Sequence, residues 1–148
     1  MLYAFPRLLP CGDAALLVEF GDEISAAANG RVRTLDADLT ATPIPGTLET
    51  IPAYRSLLVE YDPLLLSYAD LKQHLAERVG RVGEWSPPAA QSKRVPTIYG
   101  GEFGPDLEEV AAAHGLTPDQ VVSIHSSTVY TVYMLGFSPG FAYMGEVP

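Results

Sequence analysis

Charge is scarce in this sequence, and positive charge most of all. Charged residues make up 18% of 148 positions, with 9 Lys and Arg against 18 Asp and Glu, for a formal net charge of −9. Cations scattered along the chain do not form the clustered patch that grips a phosphate backbone, which argues against a nucleic-acid partner. The acidic residues fall mostly on expected solvated helix faces, where they serve solubility. Cysteine is nearly absent: Cys11 stands alone between Pro10 and Gly12, so it has no disulfide partner in the chain and no second metal ligand beside it. A reducing cytoplasm is the expected compartment. No apolar run reaches the roughly eighteen residues of a membrane span. The apolar start, MLYAFPRLLPCGDAALLVEF, has no cationic opening, and Pro6, Arg7, Pro10 and Asp13 interrupt it, which argues against a signal peptide. HExxH and paired-cysteine patterns are missing, so no metal site is expected. Gly100, Gly101 and Gly104 match neither a G-x-x-x-x-G-K-[ST] loop nor Rossmann spacing.

What is present is a core-forming fraction of 47% apolar residues, punctuated by 13 Gly and 13 Pro. That combination describes a globular chain of short elements joined by many turns. From Arg7 to Gly21 the run Ala14-Ala15-Leu16-Leu17-Val18 predicts a buried strand. Ile24, Ala28, Val32, Leu35 and Leu39 then recur at helical spacing until Pro43 and Pro45. Thr47 to Ile51 and Ser56 to Tyr61 predict a hairpin joined by Pro52-Ala53-Tyr54-Arg55. Ser67, with Asp70 three residues on, opens a second helix carrying Leu71, Leu75, Val79 and Val82 on one face. The order strand, helix, strand, strand, helix suits an α+β sandwich of ferredoxin-like type over residues 1–83.

Within GEWSPPAAQS, Gly83 to Ser92, residues 84–92 read as a semi-rigid linker in which Trp85 packs on a domain face. Residues 93–148 then form the second region. Lys93 to Tyr99 is expected as a strand, Pro105 and Asp106 open a helix that Gly115 closes, and Thr117-Pro118 with Gln120 opens another. Thr128 to Leu135, TVYTVYML, is expected as a strand.

Directly after it comes Gly136-Phe137-Ser138-Pro139-Gly140, a literal G-x-S-x-G. In a nucleophile elbow the residue after the serine supplies an oxyanion-hole N–H and the chain enters a helix. Here that residue is proline, which has no N–H, and no helix start follows. Ser138 is therefore not read as a nucleophile. The glycines, the proline and the rings of Phe137, Phe141 and Tyr143 shape either a core or the wall of a cavity. Of the histidines, His74 and His114 are expected on the surface. His125 has two readings, a cation at a helix C-terminus and a polar or proton-transfer group in a pocket. Arg55 likewise reads either as a sheet-edge residue or as a bidentate contact for a carboxylate.

Three stretches, GDAALLVEFGDEI, IPAYRSLLVEYDP and HSSTVYTVYMLGFSPGFAYMGEVP, together resemble the allophanate hydrolase subunit 1 family, which includes KipI-like proteins and the PxpB component of bacterial 5-oxoprolinase. The resemblance implies an α+β domain followed by a cyclophilin-like β-barrel, and the 56 residues from Lys93 are too few to close one. An incomplete barrel implies exposed strand edges, and with them oligomerisation or strand swapping unless another chain supplies the missing strands.

For function, the resemblance implies a subunit inactive alone, part of a cytoplasmic hydrolase complex with a subunit 2 (PxpC-like) and a LamB/YcsF-type (PxpA-like) protein. That complex would open 5-oxoproline to glutamate at the expense of ATP, although no ATP motif occurs in this chain. Allophanate or urea chemistry, or KipI-like inhibition of a sporulation histidine kinase, are the alternatives the family leaves open. It also implies a substrate or partner pocket from Arg55, Gly136, Phe137, Pro139, Gly140, Phe141 and Tyr143, with His125 as the candidate catalytic group.

Overall fold

A computed structural model describes residues 1–81 and 89–145. The chain divides into two compact units, Met1–Ala89 with Val132–Tyr143, and Ala90–Thr131 with Met144–Pro148. Trp85 and most of the expected linker lie outside the described residues, as does Val82.

The first unit is built on a four-stranded antiparallel sheet in the order β1-β2-β4-β3. Its strands are β1 (Leu2–Pro10), β2 (Ala15–Gly21), β3 (Thr47–Pro52) and β4 (Ser56–Tyr61). The single strand expected before the first helix is thus two. Gly12, at φ 67°, turns the chain between them, and Cys11 N–H donates to Ala15 O at 2.9 Å. Pro6 and Pro10 hid β1 in the sequence. An edge strand tolerates proline, and the register slips between Leu2 and Arg7, so Pro6 sits where the ladder is already broken.

Alternation decides which face of the sheet is covered. Leu16, Val18 and Phe20 of β2, with Leu57 and Val59 of β4, are wholly buried and Tyr61 nearly so. They form one cluster with residues of helix α1 (Ala26–Ala41) and helix α2 (Tyr68–Val79). Val32 and Leu35 come from α1, Leu71 and Leu75 from α2, all at 0% exposure. Both helices therefore lie on one face, as the mixed α+β reading requires. Ser25 Oγ caps α1 through Ala28 N–H at 3.1 Å, and Ser67 Oγ caps α2 through Asp70 N–H at 3.2 Å. Arg78 of α2 donates to the Asp38 carboxylate of α1 at 2.7 Å, tying the two together.

Among its described residues the second unit holds two α-helices, α3 (Leu107–Ala113) and α4 (Pro118–Ser127), after a single 3-10 turn at Gly101–Phe103. Thr117 and Gln120 make the expected capping box, with bonds of 3.3 and 2.8 Å. The expected strand from Lys93 to Tyr99 is irregular: Pro96 cannot donate to a ladder, and Val95 and Ile98 are 80% and 70% exposed. The strand expected from Thr128 begins four residues later, because Thr128 caps α4 with its hydroxyl on Ile124 O at 2.8 Å. No barrel closes among the described residues.

Candidate functional site

The glycine-rich segment folds as a hairpin. Strands β5 (Val132–Gly136) and β6 (Phe141–Met144) form a two-stranded sheet. Between them Phe141 N–H donates to Ser138 O at 3.0 Å, with Pro139 and Gly140 as the central pair. Gly140 has φ 84°, the conformation a type II turn demands at its third position, after a proline that presets the second. Both small residues are thereby accounted for by backbone geometry. Ser138 stands at a strand–turn–strand corner, not on the strand–turn–helix of an elbow. Among the described residues Phe137 is the only non-glycine residue with positive φ, at 57°. That conformation costs roughly 1–3 kcal/mol, and strain of this kind tends to gather at functional positions.

Five rings run in sequence from the tip of this hairpin to Tyr54 of the β3–β4 loop and back to Tyr133 of β5. Phe137 meets Phe141 at 6.1 Å between centroids, and Phe141 meets Tyr143 at 5.2 Å. Tyr143 then meets Tyr54 at 6.2 Å, and Tyr54 meets Tyr133 at 5.5 Å. Each contact is tilted or edge-to-face, the arrangement ring quadrupoles favour. The three tyrosines are half-buried, whereas Phe137 is 93% exposed and Phe141 51%. A ladder rooted in the fold and bare at its tip has the composition of an interface core. Gly136 ends β5 under this ladder, where an added Cβ would touch the Tyr143 ring at 3.5 Å.

Arg55 follows Tyr54 directly. Its Nη1 pairs with the Glu19 carboxylate and donates to Gly21 O at 2.6 Å. Glu19 also accepts from Tyr3 Oη at 3.2 Å and lies 3.7 Å from Arg7 Nη1. About a third of the Arg55 side chain faces solvent while Glu19 is 14% exposed, so the guanidinium is anchored on β2 at one side and open at the other.

Asn29 went unnoticed in the sequence because its partners are far away. It is 4% exposed on α1, and its Nδ2 lies 3.3 Å from Ala53 O, 3.2 Å from Tyr54 O and 3.2 Å from Tyr133 O. The first two acceptors sit in the β3–β4 loop and the third in β5. No local pattern signals such a contact; Tyr54, beside Arg55, is the partner that its position could have suggested.

His125 belongs to the second unit, in the last turn of α4. Its Nδ1 is 2.6 Å from Tyr99 Oη, and Tyr130 packs on its ring at 5.3 Å. A ring that donates Nδ1–H to the Tyr99 hydroxyl has Nε2 free to take up a proton and return it. His125 and Tyr99 line an open groove of about 510 Å³, whose other walls include Phe103, Leu107, Val110 and Ile124. No cluster of three or more His, Cys, Asp or Glu suited to a metal occurs among the described residues, and none of the described helices is long and apolar enough to cross a membrane.

The sequence profile of the family described as carboxyltransferase domain, subdomain C and D, matches residues 6–148. The chain is 41% identical over 144 residues to the 5-oxoprolinase B subunit of Bacillus subtilis (strain 168), covering 90% of this chain and 60% of that protein. It is 36% identical over 140 residues to the 5-oxoprolinase B subunit of Escherichia coli O157:H7, with coverages of 93% and 62%. It thus spans about three fifths of the length of these curated relatives. Among solved structures it is similar to TTHA0988, with a TM-score of 0.72 and 37% identity over 90% of this chain and 25% of that one.

Proposed function

The chain belongs to the family of the carboxyltransferase domain, subdomain C and D, and from that premise we propose that it acts as the B subunit of an ATP-dependent 5-oxoprolinase. The observation that carries this reading is the identity of 41% and 36% to two proteins of that name across nearly the whole chain. In this reading the chain works in the cytoplasm with subunit 2 (PxpC-like) and LamB/YcsF-type (PxpA-like) partners and is inactive alone. A lactam is a poor electrophile, so opening 5-oxoproline to glutamate calls for coupling to ATP. The first unit is read as a ferredoxin-like sandwich, the second as the opening of a cyclophilin-like domain.

The Gly100–Gly104 loop lacks the features of a phosphate cradle. Gly104 N–H in the Gly100–Gly104 loop is spent on Gly100 O at 3.2 Å, and α3, whose sequence is LEEVAAA, brings no lysine. ATP is accordingly assigned to other parts of the complex, and what this chain contributes is surface and orientation. Phe137 and Phe141 present the apolar wall of a pocket shared with a partner, beside the turn formed by Pro139 and Gly140. Arg55 offers the open side of its guanidinium to a carboxylate such as that of 5-oxoproline. His125 serves as the proton-transfer group through Nε2, with its Nδ1–H held by the Tyr99 hydroxyl.

The test is reconstitution of the three proteins and measurement of 5-oxoproline-dependent ATP hydrolysis. Hydrolysis that requires this chain is expected; hydrolysis equally fast without it would refute the reading. His125→Ala is expected to lower the rate about 100-fold, within the range of general acid–base effects, and an unchanged rate would remove that residue from the chemistry.

A further inference from the structure

We infer that Asn29 is the positioning residue of the aromatic hairpin, the group that holds the Phe137–Phe141 surface to α1 and the β3–β4 loop. The inference rests on the reading of that surface as the site's working wall, and it adds a residue that touches neither substrate nor partner. Its basis is a hydrogen-bond count. The side-chain amide has two N–H groups, and three backbone carbonyls surround its Nδ2 at 3.2–3.3 Å. All of its donor capacity is therefore directed at carbonyls from two segments, one carrying Tyr54 and the other Tyr133. Those two residues are also where the ring ladder meets the fold.

Rings alone do not fix the hairpin's register. Aromatic contacts are tolerant of sliding, while a shared N–H between two carbonyls fixes both the spacing of the strands and the height of β5 over α1. Asn29 lies almost wholly out of solvent at 4% exposure, so water does not replace it readily, and carbonyls left bare there would carry their full desolvation cost. The residue type also follows. Aspartate has the same shape but, ionised, offers only acceptors to three acceptors, and leucine offers nothing.

Amide hydrogen exchange on the whole 148-residue chain tests this directly, comparing the native protein with Asn29→Asp and the milder Asn29→Ser. Exchange across Val132–Met144 is expected to rise about tenfold or more in Asn29→Asp, with a smaller rise in Asn29→Ser, while the amides of β2 and β4 change less than about twofold. Unchanged exchange in the hairpin of both variants would overturn the inference. So would a rise of equal size in hairpin and sheet, which would make Asn29 an ordinary core residue. Binding of the subunit 2 partner, measured on the same samples, separates this from the functional reading. A hairpin that loosens while partner affinity and 5-oxoproline-dependent ATP hydrolysis hold steady keeps Asn29 as its anchor and removes the aromatic surface from the site.

Discussion

The two units satisfy their own side chains to different degrees. In the first, β2, β4, α1 and α2 enclose a cluster of fifteen buried residues, and its buried polar side chains are paired. Asn29 reaches three carbonyls, and Thr34 Oγ1 donates to Gly30 O at 2.7 Å. In the second, Ala111 is the only buried apolar residue among those described, and Phe103 and Val129 are 69% and 87% exposed. The Tyr130 hydroxyl there is buried with no hydrogen-bond partner. Local signals are nevertheless as good in the second unit as in the first, since α4 has a complete capping box. Capping starts helices; enclosure of apolar surface is what makes a unit stable.

That contrast sets the scale of the expected effects. Leu35→Ala, in the enclosed core, should lower stability in urea unfolding by about 3 kcal/mol. Val110→Ala, at 39% exposure on α3, should cost under about 1 kcal/mol. Equal losses would break the comparison. Smaller differences should come from the caps: Ser67→Ala and Thr117→Ala each remove a side-chain acceptor worth about 1 kcal/mol to its helix. Only the first should shift the main unfolding transition, because α2 is locked into the core and α4 is not; circular dichroism melts of both variants check this.

The smallest effect concerns the N-terminus. The Met1 ammonium holds the Asp22 carboxyl below the ordinary aspartate range, so its stabilising contribution exists above that ordinary pKa and fades as pH falls through the depressed one. Both groups are exposed and solvent screens the pair. Asp22→Asn should therefore leave the melting temperature at pH 7 within about 1 °C of the native value, a scale set by the small worth of surface pairs.

What the sequence revealed follows the same division. Ser67 and Thr117 were legible as caps because both partners of each bond lie within three residues. The hairpin of β3 and β4 was legible from two apolar runs around Tyr54-Arg55. β1 was not, because Pro6 and Pro10 read as interruptions unless it is known that the strand lies at an edge. Lys93 to Tyr99 failed in the opposite direction: its alternation predicts a strand, yet none of the described strands pairs with it. In the candidate site, the turn residues Pro139 and Gly140 and the rings around them were readable from composition. Asn29 was not, since one of its acceptors is 104 residues away.

The measurement closest to the central claim, that the aromatic tip of the enclosed unit is its working surface, is made on Phe137→Ala/Phe141→Ala. Both rings are largely solvent-exposed, at 93% and 51%, so their loss should leave the urea midpoint of the first unit unchanged. In the reconstituted three-protein mixture, 5-oxoproline-dependent kcat/KM is expected to fall at least about tenfold, equivalent to the ~1.4 kcal/mol that a truncated interface ring commonly costs. An unchanged kcat/KM with an unchanged midpoint would contradict it.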